Sequence, residues 1–236
     1  MRIQLLGTGS LYSKSNCAGL IIDSHILVDI GPGTVKKMIQ VKYDLLDIDT
    51  ILITHLHADH ILDFALLVAN IEVLKDKHTV YIFGPKGTKE KIKNLLNAVY
   101  DDYYDSFMDQ YFCFIDIYDH KKIEIRNYKV NVIEVVHPGI ESYGFVIDDT
   151  LGITGDSALC KGIEKICRGS HTIICDCSLI EGDIYHMGID DIQNLSMLYK
   201  EREFVLTHYR DITRDALSHL SLNHVVICDD GYTFDV

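Results

Sequence analysis

Positively charged residues are scarce in this sequence. Its 22 lysines and arginines stand against 35 aspartates and glutamates, which gives a formal net charge of −13 over 236 residues. A protein that coats nucleic acid through its net charge needs a lysine or arginine at each phosphate contact, so this balance argues against such a protein. A local site for a phosphate group is still compatible with it.

Long apolar stretches are missing as well. No run of roughly 18 uninterrupted apolar residues is present, so the sequence predicts no membrane-spanning helix and no membrane partner. The first residues, MRIQLLGTGSLYSK, lack the apolar core of a signal peptide. The seven cysteines are odd in number and scattered along the chain. We therefore expect a cytoplasmic protein with reduced thiols, in which Cys175 and Cys177 are buried in a strand.

The sequence also lacks a segment typical of an interdomain linker. The chain has only three prolines, and no stretch rich in Pro, Gly or Ser divides it. Its length fits a single domain, residues 1–236, and an apolar content of 47% can supply a core without metals or disulfides. Any metal in this protein is therefore expected to serve function.

Strand and helix signals alternate along the chain. Short β-branched or apolar runs bounded by turn residues predict strands at 2–6, 18–22, 25–29, 50–54, 80–83, 112–118, 121–125, 129–136, 143–148, 152–154, 172–175, 204–207, 225–228 and 232–236. Helical spacing predicts helices at about 58–72, 88–100, 158–168, 189–200 and 211–220. Two β-rich halves, each followed by helices, predict an α/β protein with two sheets packed face to face and helices outside.

Three local features carry further predictions. In the helix after Gly87 the spacing of Ile92, Leu95, Leu96 and Val99 predicts an apolar face, with Thr88 as the N-cap. The dipeptide at 230–231, Asp-Gly, predicts a hairpin between the last two strands. The aromatic segment 103–112 is more typical of core or interface packing than of a substrate lid, and it is a candidate homodimer surface.

The segment ILITHLHADHILDF differs from this ordinary pattern. Its four metal-type side chains, His55, His57, Asp59 and His60, lie within six residues directly after a buried strand. At the end of a strand His55 and His57 point the same way, so both imidazoles can reach one cation. The chain then turns, and Asp59 with His60 addresses a neighbouring position. One segment can therefore seat two metals.

Each cation would still need ligands from distant parts of the chain. Three polar residues follow apolar runs in the same manner as His55: His137 after KVNVIEVV, Asp156 after LGITG, and His208 after EFVLT. Loops at strand ends gather at one edge of a sheet, so we expect these side chains to meet the HxHxDH segment there.

These motifs resemble the metallo-β-lactamase superfamily over essentially the whole chain, and its ribonuclease Z and phosphodiesterase branch in particular. The matching features are GTGS at 7–10, Asn16, VDIGPG at 28–33, THLHADH at 54–60, FGPKG at 83–87, His137 with SYGF at 142–145, TGDS at 154–157, His186, LTH at 206–208 and the closing DDG. The resemblance implies a four-layered αββα sandwich with the site at one edge between the sheets.

The resemblance also implies roles for individual residues. One metal would be held by His55, His57 and His137. The other would be held by Asp59, His60 and His208, with Asp156 bridging. His186 is the expected general acid for the leaving oxygen. Asp59 is expected to have a catalytic role in addition to binding metal. Asp29, in VDIGPG, is interpreted either as a support for a metal ligand or as a turn residue.

The ligand set indicates the chemistry. Two cations roughly 3.5 to 4 Å apart can share a water and lower its pKa, so the expected nucleophile is a bridging hydroxide. Imidazole and carboxylate ligands suit Zn²⁺, with Mn²⁺ or Fe as alternatives. Because the seven ligands include only two carboxylates, the loaded centre stays cationic and favours an anionic phosphodiester. The predicted protein is a dinuclear-metal phosphodiesterase acting on a small, cyclic or single-stranded phosphodiester.

Three alternatives stay open. Ribonuclease Z enzymes bind transfer RNA with an arm inserted between the third histidine and the bridging aspartate. Residues 138–155 of this chain hold only SYGFVIDDTLGIT and its flanks, which leaves no room for such an arm. A transfer RNA 3′-end endonuclease is therefore disfavoured. A thioester hydrolase, which would share HxHxDH, and a catalytically idle metal-bound regulatory protein are the other two.

Overall fold

Two seven-stranded sheets form the centre of the molecule. The computed structural model describes residues 1–74 and 78–236. The strands are β1 Arg2–Gly7, β2 Gly19–Ile22, β3 Ile26–Val28, β4 Thr50–Leu52, β5 Val80–Gly84, β6 Phe112–Asp116, β7 Lys122–Ile125, β8 Tyr128–Val135, β9 Ser142–Ile147, β10 Leu151–Ile153, β11 Thr172–Asp176, β12 Glu203–Thr207, β13 Val225–Ile227 and β14 Thr233–Asp235. They agree with the predicted strands to within a few residues.

Helices lie between the strands in sequence. They are α1 Thr34–Gln40, α2 Ala58–Ile61, α3 Phe64–Leu74, α4 Thr88–Tyr100, α5 Asp105–Tyr111, α6 Lys161–Gly169, α7 Ile189–Leu198 and α8 Asp211–Ser218. The helix predicted at about 58–72 is interrupted at Leu62 and Asp63, and α1 was not predicted. In the described part of the chain, no helix is long and apolar enough to cross a bilayer.

Each sheet mixes parallel and antiparallel strands. The first has the order β14-β1-β2-β3-β4-β5-β6, and the second has the order β13-β12-β11-β10-β9-β8-β7. Strands β3 to β6 are mutually parallel in the first sheet, as are β10 to β13 in the second. Parallel strands place their carboxyl ends at one edge, and polar loops from both sheets meet there.

Three apolar layers separate the four layers of the sandwich. Leu5 and Ile22 of the first sheet pack with Phe145 and Ile174 of the second in the middle layer. A second layer lies between the first sheet and α1, α3 and α4, and a third between the second sheet and α6, α7 and α8. Central strands such as β9 are buried along their whole length, which explains their continuous apolar runs. The predicted αββα architecture is confirmed.

The predicted C-terminal hairpin is wrong. Strand β13 pairs in parallel with β12 in the second sheet, whereas β14 pairs antiparallel with β1 in the first. The turn itself forms, with Gly231 at φ 96°, but it carries the chain from one sheet to the other. Asp230 fixes it by accepting hydrogen bonds from Thr8 N and Oγ1 and from Asn16 N. Each short strand completes the free edge of a different sheet instead of pairing with its neighbour.

The predicted cap of α4 is also wrong. Gly87, in the left-handed conformation, is the N-cap, and the Thr88 hydroxyl donates to the Pro85 carbonyl instead. Ile92 and Leu96 are buried as expected. Val99 is 56% exposed because the helix ends one residue later, at the edge of the packed layer.

The aromatic segment 103–112 packs mainly in the core. Met108 and Phe112 lie in the apolar layer under the first sheet, and Phe107 and Tyr111 pack against it. None of these four lines the cavity described below. Core packing therefore accounts for most of the segment.

Cys175 and Cys177 are fully buried free thiols, as predicted.

Candidate metal centre

All seven predicted metal ligands lie together at one edge of the sandwich. His55 and His57 follow β4, Asp59 and His60 are on α2, His137 follows β8, Asp156 follows β10 and His208 follows β12. They form two groups whose potential donor atoms lie within 4.8 Å of one another. The strand-end pattern seen in the sequence therefore corresponds to real proximity.

The first group consists of His55, His57 and His137. His57 Nδ1 lies 3.1 Å from His55 Nε2 and 3.1 Å from His137 Nε2. Burial, followed by the neighbouring imidazole of His60, holds the pKa of His55 well below its usual value. Burial and His137 also lower the pKa of His57. Neutral imidazoles of this kind are the form that binds transition metals.

The second group consists of Asp59, His60, Asp156 and His208, all buried. His208 Nε2 lies 3.2 Å from both Asp59 Oδ2 and Asp156 Oδ2. Burial opposes protonation of His60, but the carboxylates of Asp156 and Asp29 outweigh it and hold its pKa well above the usual value. Burial likewise opposes ionisation of Asp156, yet His208 and His60 hold its pKa well below the usual range.

One oxygen of Asp156 connects the two groups. Its Oδ2 lies 3.3 Å from His60 Nε2 and 3.2 Å from His208 Nε2 in the second group, and 3.8 Å from His55 Nε2 in the first. A ligand shared by two cations needs this position. The bridging role of Asp156 stays a prediction, with which the position of Oδ2 between the groups agrees.

The outward-facing ring nitrogens of two ligands are held by Asp29. His60 Nδ1 donates to Asp29 Oδ2 at 2.8 Å. His55 Nδ1 lies 3.1 Å from Thr54 Oγ1, which donates to the same carboxylate oxygen. These contacts leave Nε2 of both histidines directed at the cluster, as the ligands of a metal require. Asp29 has φ 56° and also accepts from Thr54 N, so it serves both as a turn residue and as a support for the histidines.

The donor set fits divalent cations. His60 Nε2 is buried and makes no hydrogen bond of good geometry among the described residues, although Asp156 Oδ2 lies 3.3 Å away. A buried nitrogen that faces carboxylates without a well-aligned hydrogen bond is in a position to bind a cation. Imidazole and carboxylate donors at these positions suit Zn²⁺, Mn²⁺ or Fe.

Gly31 holds the segment VDIGPG against the second group. Ile30 N donates to the His60 carbonyl, and Asp63 N donates to the Ile30 carbonyl. A Cβ atom on Gly31 would lie 1.7 Å from the carbonyl oxygen of Asp59. Glycine at this position is therefore required for the close approach that positions Asp59 and His60.

A pair formed by the partly buried His186 and the buried Asp176 lies beside the cluster. His186 Nδ1 donates to Asp176 Oδ2 at 2.9 Å, and its ring lies 5.0 Å from the His137 ring and 5.2 Å from the His208 ring. Burial opposes protonation of His186, but the hydrogen bond to Asp176 outweighs it and raises the pKa of the imidazole. Since Nδ1 is occupied, Nε2 is the nitrogen that can deliver a proton into the cavity.

Asp176 was missed by the sequence reasoning. It ends the buried strand β11, next to the strands that lead to Asp156 and His208. Its position after the run TIIC at 172–175 follows the rule that singled out the other site residues. The same rule, applied to every strand end, would have found it.

The cluster opens into a cavity of about 380 Å³. Its lining residues are Ser10, Leu11, Tyr12, His57, Ala58, Asp59, His137, Asp156, Ser178, Tyr185, His186, His208 and Arg210. Sites for single small molecules span roughly 300 to 1,000 Å³. The cavity is therefore of a size for one small ligand, with the candidate metal ligands and His186 in its wall.

Comparison with known proteins shows which family the chain matches. The family model of anti-Pycsar protein Apyc1 matches residues 1–226. Ribonuclease Z of Pyrococcus horikoshii is 30% identical over 155 residues, which covers 63% of this chain and 48% of that protein. The chain thus spans about half the length of the curated relatives it matches.

Solved structures show the same fold. The metallo-β-lactamase fold protein YhfI from Bacillus subtilis superposes with a TM-score of 0.78 at 19% identity, covering 99% of this chain and 98% of that one. The short form of human tRNase Z superposes with a TM-score of 0.76, also at 19% identity, covering 100% and 99% of the two chains. The predicted metallo-β-lactamase fold is confirmed.

Proposed function

The chain belongs to the family of anti-Pycsar protein Apyc1, within the metallo-β-lactamase superfamily, and on this basis we propose that it is a dinuclear-metal phosphodiesterase. Its proposed substrate is a small, cyclic or single-stranded phosphodiester. The observation that carries the proposal is Asp156 Oδ2, placed between a group of three histidines and a second group of two histidines and Asp59. That arrangement suits two cations sharing one carboxylate.

The proposed metal ligands are those of the two groups. His55, His57 and His137 would hold one cation; Asp59, His60 and His208 would hold the other, with Asp156 shared. When bound, two such cations would supply an activated water and neutralise charge on the reacting phosphoryl group. Zn²⁺ is the proposed metal, on the chemistry of the donors.

Two side chains of the protein, Asp59 and His186, would accept and donate the protons of the reaction. Asp59 lines the cavity, so its carboxylate can accept a proton from the attacking water. His186, held by Asp176 and kept protonated to higher pH than a free histidine, would donate from Nε2 to the departing oxygen. Asp176 would hold the ring in the orientation and tautomer that this transfer needs.

Two observations favour a small substrate. The cavity has the volume of a single-ligand site. Residues 138–155, where a transfer RNA-binding arm would be inserted, form β9, β10 and the tight turn between them. A ribonuclease Z-type transfer RNA 3′-end endonuclease is the second candidate, because the curated relatives carry that name.

The test is a metal analysis combined with a substrate panel. The purified protein is expected to contain close to two transition-metal ions per chain and to hydrolyse an aryl phosphodiester. Asp156→Ala is expected to lose both the metals and the activity, because it removes the shared ligand. A panel of aryl diesters, cyclic nucleotides, single-stranded oligonucleotides and precursor transfer RNA separates the two candidates. Metal-free protein that neither Zn²⁺ nor Mn²⁺ can activate would refute the proposal.

A further inference from the structure

Arg210 stands out among the residues that line the cavity. It is the one lysine or arginine among the described lining residues. The other potential cations there are the histidines His57, His137, His186 and His208, three of which are proposed metal ligands and one the proposed acid. Arginine is charged at every pH at which the protein is folded. The wall of the cavity therefore carries one permanent positive charge that has no role in the proposed metal binding or proton transfer.

The backbone holds Arg210 at this position. It follows His208 and Tyr209 and is the N-cap residue of α8. Tyr209 is 1% exposed, and its hydroxyl donates to the Leu206 carbonyl. Ser10 N donates to the Tyr209 carbonyl, which ties the loop that carries Tyr12 to the same place. The guanidinium carbon of Arg210 lies 5.3 Å from the centre of the Tyr12 ring. This contact limits the directions that the side chain can take.

Among the described residues, Arg210 forms no side-chain hydrogen bond through Nε and no ion pair. Its Nε is buried, and no described residue accepts a hydrogen bond from it. Arg126, Arg168 and Arg214 each form an ion pair with a carboxylate, but none of the ion pairs among the described residues includes Arg210. A buried guanidinium donor without an acceptor costs stability. The cost is removed if a ligand supplies the acceptor.

Asp183, a carboxylate whose pKa is lowered in part by the charge of Arg210, accepts its hydrogen bonds from other groups. Asp183 Oδ1 accepts hydrogen bonds from Tyr185 N and His186 N. Burial opposes ionisation of Asp183, but these two bonds, followed by the charges of His186 and Arg210, lower its pKa. Asp183 thus adds a negative charge near Arg210 and organises the His186 loop, without forming an ion pair with the guanidinium.

We propose that the guanidinium of Arg210, held against the ring of Tyr12, binds the phosphate group of the substrate. A guanidinium presents parallel N–H donors that match two phosphate oxygens, and such charge-assisted bonds are stronger than neutral ones. Arg210 and the cluster both face the cavity, so an anion there meets positive charge from both. The inference deepens the proposed function and rests on it for the identity of the substrate.

The test compares Arg210→Met and Arg210→Lys with a matched control, Arg168→Met. Arg168 also carries a guanidinium, but it lies on α6, is 66% exposed at its side chain and pairs with Glu164 outside the cavity. Two quantities are measured on metal-loaded protein: kcat and KM for an aryl phosphodiester, and the Kd of inorganic phosphate by calorimetry. Metal content and Tm are recorded for every variant.

Arg210→Met is expected to lose about 10- to 150-fold in kcat/KM and to weaken phosphate binding by a similar factor, the range for a hydrogen bond to a charged group. Arg210→Lys is expected to recover part of both, because it restores the charge without the paired donors. Arg168→Met should stay within about twofold of wild type in both measurements.

The outcomes separate this inference from the proposed function. If the wild type hydrolyses the diester and both Arg210 variants match it in kcat/KM and in phosphate Kd, the inference is overturned and the proposed function stands. If the wild type hydrolyses no diester but Arg210→Met still weakens phosphate binding at least tenfold, the proposed function fails and the inference is supported. If Arg210→Met has a lowered Tm, the kcat/KM and phosphate Kd of Arg210→Lys decide whether Arg210 binds the phosphate group.

Discussion

Replacing Asp176 by asparagine tests the proposed acid without touching the cavity wall. Asp176 is 1% exposed, and its two oxygens accept from three donors: Oδ2 from His186 Nδ1 and Ser157 N, and Oδ1 from Ser178 N. Asparagine has the same shape but only one accepting oxygen. In either orientation its amide group meets at least one N–H donor, and the negative charge beside His186 is gone.

The magnitude follows from the hydrogen bond that is lost. A bond between a charged donor and a charged acceptor contributes roughly 1.5 to 3 kcal/mol, which corresponds to about 10- to 150-fold. We expect kcat/KM of Asp176→Asn at neutral pH to fall within that range. Kinetics are compared on protein loaded to the same metal content, because Asp176 Oδ1 also lies 3.5 Å from Nδ1 of His208, a proposed ligand.

The pH profile gives the more specific signature. Asp176 raises the pKa of His186, so the protonated acid persists to higher pH in the wild type, and activity is lost as the pH rises through that raised pKa. Removing the carboxylate lowers the pKa of His186. The alkaline limb of the kcat/KM profile should therefore move to lower pH in Asp176→Asn.

The control is Asp23→Asn. Asp23 also accepts hydrogen bonds, from Arg2 N and the Tyr128 hydroxyl, but it lies in the turn between β2 and β3, at the opposite edge of the sheet. Its pH profile should match that of the wild type. An Asp176→Asn protein with two metals, an unshifted alkaline limb and kcat/KM within twofold of wild type would refute the role given to His186.

Two further predictions concern the fold around the site. Gly31→Ala should lower metal content and Tm, because the added Cβ would lie 1.7 Å from the Asp59 carbonyl oxygen and would have to move to an ordinary contact distance. The control is Gly169→Ala, whose added Cβ would have its nearest neighbour at 3.4 Å and which should bind metal normally. Equal metal content in both variants would contradict the packing argument. Phe145→Ala should reduce the free energy of unfolding in denaturant titrations by about 3 to 5 kcal/mol, since the side chain is fully buried between the sheets. Val99→Ala, at a site 56% exposed, should change it by less than about 0.5 kcal/mol, and similar losses at both positions would contradict the layer assignment.

Several features of the fold could be predicted because their signals are local. The apolar runs of β9 and β11 are buried along their whole length, and this is visible in the sequence as uninterrupted hydrophobicity. Helix α4 was predicted from the spacing of Ile92 and Leu96. The cap of α4 was not, because a left-handed Gly87 and a threonine hydroxyl bonded backwards to Pro85 compete with the more common threonine cap.

Which strands pair with each other could not be predicted from local sequence patterns. The sequence at 230–231 correctly indicates a turn, yet the strands on either side belong to different sheets. What decides this is the presence of two open sheet edges, at β1 and at β12, that bond β14 and β13 respectively. Neither edge can be read from the residues of the turn.

The sequence by itself determined which residues could bind metal, because HxHxDH and the polar residues after strands are local patterns with a direct chemical meaning. Only the tertiary structure decided how they combine. It places one oxygen of Asp156 between both groups, sets Asp29 behind His55 and His60, and brings Asp176 to His186. It also leaves Nε of Arg210, in the wall of the cavity, without an acceptor among the described residues. These relations depend on distances between residues far apart in the chain, and packing of the two sheets alone sets those distances.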